Sequence, residues 1–158
     1  MTLQFTRRNV FTLIAAATST GLAHAAAAQS RTGGAPNLMH AGLGLKGFDP
    51  VAYFTDGQPA RGQDNLTTTH NGLVWRFATA AHQAAFEKEP AKYLPVYGGF
   101  CAWGVAQGKL FDVDPATGWM IADRKLYVFF NADILKLYQS DQVALTARAE
   151  KNWPKLNV

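Results

Sequence analysis

The chain holds one cysteine, Cys101. It lies in the segment Tyr97-Gly98-Gly99-Phe100-Cys101-Ala102-Trp103-Gly104. Glycines and large aromatic side chains surround the thiol, so the backbone there turns tightly against flat rings. A thiol in this setting is a buried inert side chain, a metal ligand or a nucleophile. The surrounding residues alone favour the buried, inert thiol. If the Cys101 region instead holds a metal ion or a small ligand, we expect Tyr97, Phe100 and Trp103 to line its pocket.

Four other side chains are candidate metal ligands that are expected to act with the thiol: His70, His82, Asp112 and Asp114. A mixed set of sulfur and nitrogen donors suits a copper or zinc ion. The two aspartates alternate along the chain, so on a strand both side chains face the same way. The alternative for them is a turn capped by aspartate. The alternative for His82 is a structural role at the start of a helix.

Two predicted β-hairpins are needed to position these residues. The first joins residues 66–70 and 73–78 through Asn71-Gly72, because both residues tolerate the positive φ of a type I′ turn. The second joins residues 118–122 and 125–130 through Asp123-Arg124. Arg124 must then adopt a left-handed backbone conformation, which costs about 1 kcal/mol.

Three helices are predicted around these hairpins. Thr79 is a suitable cap for a helix that follows the first hairpin and is ended by Pro90. Residues 133–138 and 142–152 form the other two helices, and the last one ends before Pro154.

Residues 51–54 are predicted as a short strand that begins after Asp49-Pro50. No internal repeat is apparent along the chain. Antiparallel hairpins interleaved with short helices predict one small α+β domain, which we place at residues 42–158.

The N-terminal residues 1–28 have the composition of an export signal. Arg7 and Arg8 precede a mildly apolar stretch rich in Ala and Thr, and small residues at 23–25 and 26–28 offer cleavage sites. The arginine pair resembles a twin-arginine signal, and a general secretory signal is the alternative. We therefore expect export by the twin-arginine machinery to the periplasm, with residues 29–41 as a flexible leader.

Charge and hydropathy argue against two kinds of partner. The chain carries 15 Lys and Arg against 11 Asp and Glu, and two of the positive charges lie in the predicted signal. No run of basic residues follows, so nucleic-acid binding is not expected. No stretch after the signal is long and apolar enough to predict a membrane span.

Several motifs in the same order resemble the exported YHS-domain proteins of bacteria. These are the run Leu45-Lys46-Gly47-Phe48-Asp49-Pro50-Val51-Ala52-Tyr53-Phe54, the hairpin from Asn71-Gly72 to Phe77, Pro90-Ala91-Lys92-Tyr93, Tyr97-Gly98-Gly99-Phe100-Cys101-Ala102, the hairpin at Trp119 and Asn152-Trp153-Pro154. The resemblance extends over nearly all of the chain after the signal, and it implies a YHS-like fold.

The resemblance also implies a link to metal handling, notably of copper. Metal-binding members of that group carry three cysteines at positions that correspond here to Ala52, Ala78 and His82. Only His82 keeps a potential ligand. The leading hypothesis is therefore a periplasmic protein that binds a copper or zinc ion, or a small ligand, through the Cys101 region. The alternatives are a structural or interaction module without metal, and an enzyme that uses Cys101 as its reactive thiol.

Overall fold

The computed structural model describes Asn37 and residues 41–156. The predicted export signal, with Arg7 and Arg8, lies outside the described residues, and so does His40. The described residues form a mixed α+β domain, which confirms the predicted fold class. Among them, no helix combines the length and the apolar character that a membrane crossing requires.

Helices and strands alternate along the domain in short pieces. In chain order they are α1 (Ala52–Thr55), β1 (Gln63–His70), β2 (Leu73–Phe77), α2 (Ala80–Lys88), α3 (Pro90–Tyr93), α4 (Ala102–Ala106), β3 (Trp119–Ala122), β4 (Lys125–Val128), α5 (Ala132–Gln139) and α6 (Gln142–Asn152). Two short 3-10 segments come before α1 and α4, and we call them the first tight turn (Gly44–Gly47) and the second tight turn (Val96–Gly99). A last 3-10 turn, Trp153–Lys155, follows α6.

Both predicted hairpins are confirmed. β1 pairs antiparallel with β2, and β3 pairs antiparallel with β4, as two separate sheets. The connecting residues Asn71 and Gly72 have φ angles of 52° and 79°, while Asp123 and Arg124 have 49° and 60°. The second turn therefore places two residues with side chains in the left-handed region that glycine favours.

The predicted helices after the hairpins are confirmed as well. The hydroxyl of Thr79 accepts the backbone N–H of His82 at 3.1 Å, so Thr79 caps α2 as its sequence position indicates. α2 ends at Lys88, before Pro90, and α5 and α6 match the two helices predicted near the C-terminus.

The predicted strand at residues 51–54 is wrong, because these residues form helix α1. Asp49 explains the difference. Its carboxylate accepts the backbone N–H of Val51 at 2.8 Å, which closes a turn over residues 49–51. The backbone N–H of Thr55 then bonds to the carbonyl of Val51 at 3.1 Å, so the chain continues as a helical turn.

Aromatic side chains fill the core. Trp75 and Phe77 of β2 lie on its buried face with Leu73, and both pack against Phe86 of α2 at ring distances of 5.6 and 5.2 Å. In the second hairpin, Phe129 packs against Tyr138 of α5 at 4.9 Å. The helix that follows each hairpin thus packs against the buried aromatic side chains of that hairpin.

Many backbone features of residues 43–88 recur 52 positions later, in residues 95–139. Leu43 forms a parallel bridge to Val74 of β2, and Pro95 forms a parallel bridge to Leu126 of β4, with each residue 52 positions after its counterpart. The strand registers agree at the same spacing. The tips of the hairpins, the start of α2 and the start of α5 also differ by 52 positions.

The tight turns repeat in detail. Leu45 has φ 47° in the first, and Tyr97 has φ 53° in the second. Each accepts a backbone N–H at 3.0 Å, from Phe48 and Phe100 respectively. The sequence analysis found no repeat because few counterparts are identical. The domain is nevertheless a structural duplication.

Candidate functional site

Cys101 lies inside the core at the start of α4, with none of its surface exposed. The backbone N–H of Phe130 donates to its sulfur at 3.3 Å. Burial raises the pKa of the Cys101 thiol, and backbone amides, first that of Gly104, oppose the rise only in part. The thiol is therefore neutral and shielded, the opposite of what a nucleophile needs.

We expect Cys101 to resist alkylation in the native protein by about 1000-fold or more relative to the unfolded chain, because reaction requires opening of the core. The rate of modification by iodoacetamide, with and without urea, measures this ratio. The unfolded protein serves as the control, since it must yield one reactive thiol per chain. Rapid stoichiometric alkylation without urea would contradict the buried placement of Cys101. It would favour the alternative of an enzyme that uses Cys101 as its reactive thiol.

The three residues predicted to line a pocket pack against other aromatic side chains. Tyr97 and Phe100 are buried and pack against Trp153 at ring distances of 5.8 and 6.3 Å. Trp103 stacks on Phe111 at 6.4 Å. A cavity of about 10 Å³ lies beside the two tight turns and has room for about one water molecule. It is lined by Asn37, Leu45, Leu73, Trp75, Pro95, Gly98, Gly99 and Val113.

Asn37 belongs to the predicted leader, yet it is buried against the second tight turn. Its backbone N–H donates to the carbonyl of Gly98 at 2.9 Å, and its side chain donates to the carbonyl of Gly99 at 3.3 Å. Asn37 itself therefore packs on the domain.

The candidate ligands Asp112 and Asp114 bind different partners. Asp112 forms an ion pair with Lys46 at 2.8 Å. Asp114 accepts the hydroxyl of Thr117 at 2.6 Å and the N–H of Ala116 at 3.0 Å, and the bond from Thr117 lowers the pKa of its carboxyl. The turn capped by aspartate, which was the alternative for this segment, is present at Asp114.

His70 ends β1, and its ring meets the ring of Phe86 edge-on at 5.8 Å. This contact is a packing contact with the aromatic core. His70 therefore lies at the end of β1 in the first hairpin, packed against Phe86 of α2.

His82 forms the most connected polar group among the described candidates. Its Nδ1 lies 2.7 Å from Oδ2 of Asp49, a carboxylate with no exposed surface. Asp49 also accepts the backbone N–H of Val51 and that of Ala78, both at 2.8 Å. An ionised carboxylate only accepts hydrogen bonds, so Nδ1 of His82 is the donor, an assignment that follows from the bonding pattern.

The other ring nitrogen of His82, Nε2, faces two polar groups near the surface. The hydroxyl of Thr55 lies 3.2 Å away, and Oδ1 of Asp56 lies 3.6 Å away. Thr55 and Asp56 are themselves 2.9 Å apart. The His82 side chain is 13% exposed and that of Asp56 is 40% exposed, so this side of the ring can be reached from solvent.

The elements explain why these groups meet. The first tight turn delivers Asp49 to the start of α1, α1 carries Thr55 and Asp56 at its end, and α2 presents His82 from its first turn. We call Asp49, Thr55, Asp56 and His82 the His82 cluster. A fixed imidazole with a buried carboxylate behind it is an arrangement used for metal ligation and for proton transfer.

Among the described residues, no three His, Cys, Asp or Glu side chains form a group that could enclose a metal ion. Cys101 is hydrogen-bonded to Phe130, and His82 is paired with Asp49. The predicted ligands therefore belong to several separate environments. Any ion at the His82 cluster would have to complete its coordination with water or with donors of another kind.

His82 was predicted from the sequence as a candidate ligand, whereas Asp49, Thr55 and Asp56 were not predicted as site residues. One signal was available for Asp49, since Asp-Pro favours turn initiation and an aspartate side chain can accept the backbone N–H two residues later. Nothing local indicates that Asp49 meets His82, because 33 positions separate them.

Comparisons with known proteins found no match for this chain among protein-family models, curated proteins or solved structures. The resemblance to YHS-domain proteins therefore stays a prediction, and the argument for function rests on the His82 cluster.

Proposed function

We propose that this is an exported binding protein, not an enzyme, and that it binds a copper(II) or zinc(II) ion at the His82 cluster. The observation that carries the proposal is the pair between His82 and the buried Asp49, which fixes the ring and leaves Nε2 directed at Asp56 and Thr55. The predicted role of Cys101 as a ligand is replaced by this site, because the thiol is enclosed.

The carboxylate behind the ring supports metal binding. Histidine ligands of metals commonly donate their second N–H to a carboxylate, which sets the tautomer and raises the basicity of the ligating nitrogen. Asp49 stands in that position toward His82. Its own orientation is fixed by the amides of Val51 and Ala78, so it cannot turn away to take part in coordination.

The distances among the donor atoms on the solvent side of the His82 ring also support metal binding. Donor atoms about 2.0–2.2 Å from one zinc ion are separated from each other by roughly 3–3.5 Å. The separations among Nε2 of His82, Oγ1 of Thr55 and Oδ1 of Asp56 are 3.2, 3.6 and 2.9 Å. These three atoms can share an ion after small side-chain movements.

Such a site would be open and exchangeable. Only His82 and Asp56 are strong ligands for these ions, so water or a delivered ligand would fill the remaining positions. That is the chemistry of a protein that carries or passes on an ion, in contrast to a closed site that holds a fold together.

We expect one Zn(II) or Cu(II) ion to bind per chain in isothermal titration calorimetry. His82→Ala should abolish this binding, and Asp56→Asn should weaken it about tenfold or more, since each removes a ligand. Under the same conditions, NMR signals of the His82 ring should shift on addition of the ion.

His70→Ala is the matched control, because His70 is a histidine at the end of β1 that lies outside the His82 cluster. It should leave affinity and stoichiometry unchanged. Absence of binding by the wild-type protein, or binding that survives His82→Ala, would refute the proposal. Absence of binding would also favour the structural or interaction module, which the enclosure of Cys101 in the core already supports as the second candidate.

A further inference from the structure

The second half of the domain provides a comparison for the pair of Asp49 and His82. Asp49 follows Phe48 directly after the first tight turn, and Cys101 follows Phe100 directly after the second. Both are fully buried, and they lie 52 positions apart. Cys101 is therefore the counterpart of Asp49.

The two side chains interact with equivalent backbone amides of the two halves. Asp49 accepts the N–H of Ala78, which follows β2, and Cys101 accepts the N–H of Phe130, which follows β4. Asp49 also accepts the N–H of Val51, and the counterpart amide, that of Trp103, is among the amides that oppose the rise in the pKa of the Cys101 thiol. A neutral thiol thus fills the structural role that the carboxylate fills in the first half.

The position of His82 has a counterpart as well. His82 donates its backbone N–H to the cap residue Thr79, and Ile134 donates its backbone N–H to the cap residue Asn131 at 2.9 Å. Both side chains are partly buried. The second half therefore builds the same start of a helix with an aliphatic side chain in place of the imidazole.

We infer that the pair of Asp49 and His82 is a binding centre that the fold does not require, and that Cys101 and Ile134 are its non-binding counterpart within the duplication. The same backbone forms with a thiol and an aliphatic side chain, so local folding does not explain the polar pair. The assignment to binding rests on the proposed function, whereas the dispensability for folding rests on the duplication alone.

The double variant Asp49→Cys/His82→Ile gives the first half the side chains of the second. We expect its ratio of folded to unfolded protein to stay within about tenfold of wild type in urea titrations, a factor that corresponds to about 1.4 kcal/mol. Asp49→Ala, which leaves the same amides without an acceptor, should lower the ratio by about a hundredfold or more. The amides of Val51 and Ala78 should remain protected from hydrogen exchange in the double variant.

A double-mutant cycle in the second half tests the same inference if the first-half variant fails to fold. Cys101→Asp buries a carboxylate without a partner, and Ile134→His supplies one. The double variant Cys101→Asp/Ile134→His should therefore be more stable than Cys101→Asp alone by about tenfold in the folding ratio. A double variant in the first half that is as unstable as Asp49→Ala, together with no coupling in the second half, would overturn the inference.

Zinc titration separates this inference from the proposed function. A folded Asp49→Cys/His82→Ile protein that no longer binds Zn(II) supports both. A folded protein that binds Zn(II) like wild type supports the dispensability of the pair for folding and refutes its role as the binding centre.

Discussion

Asp49→Ala is expected to destabilise the domain by about 3–5 kcal/mol, the range found when one member of a buried polar pair is removed. The change leaves the amides of Val51 and Ala78 and the Nδ1–H of His82 without their acceptor. Each unsatisfied buried donor costs about 1–3 kcal/mol. Since domains of this size are stable by only about 5–15 kcal/mol, the loss is a large part of the total.

Urea unfolding followed by tryptophan fluorescence measures this loss, with Asp64→Ala as the matched control. Asp64 pairs with Arg76 at the surface and its side chain is 84% exposed, so its removal should change stability by less than about 1 kcal/mol. A cost below 1 kcal/mol for Asp49→Ala would show that the carboxylate does not hold α1, β2 and α2 together.

Local signals were enough to predict much of the fold. Asn71-Gly72 indicated the first hairpin because glycine and asparagine accept the left-handed turn, and Thr79 marked the start of α2 through its cap. Each of these features depends on residues within a few positions of one another. The failure at residues 51–54 has the same origin, because the bond from Val51 to the side chain of Asp49 decides between strand and helix there.

The candidate site depended on contacts that no local pattern reveals. His82 was recognisable as a histidine at a helix start, but its partner Asp49 lies in another element and its other neighbours, Thr55 and Asp56, end a helix that was predicted as a strand. The duplication was hidden for a similar reason. Cys101 and Asp49 occupy equivalent positions in the two halves and accept equivalent amides. Their side chains differ so much in chemistry that sequence comparison does not align them.

The duplication also changes the meaning of the single cysteine. The proposed export would place this unpaired thiol in an oxidising compartment, where a thiol is oxidised unless it is protected. Cys101 is protected by the core and by the amides that surround it, and its counterpart Asp49 shows that the position requires a hydrogen-bond acceptor. The thiol is therefore accounted for by the fold, while the imidazole of His82 is not.

Stability should fall steeply at alkaline pH, because five buried groups must stay protonated in the folded state. Burial is the main cause that raises the pKa of the Cys101 thiol and of four tyrosines, and the tyrosines are Tyr53, Tyr97, Tyr127 and Tyr138. A group whose pKa is raised on folding contributes fully below its unfolded pKa and loses that contribution as pH rises. The decline should begin near pH 8.5 with Cys101 and steepen above about pH 10 with the tyrosines.

Each such group costs about 1.4 kcal/mol per pH unit while the pH lies between its unfolded and its folded pKa, so the four tyrosines together should make stability fall steeply above pH 10. Urea titrations at successive pH values, combined with tyrosinate absorbance, measure the slope. Tyr97→Phe should reduce the slope above pH 10 by one proton while leaving the decline near pH 8.5 unchanged. Tyrosines that ionise with a midpoint near 10 in a protein that is still folded would contradict the argument, because they would show that solvent reaches the phenols without opening the core.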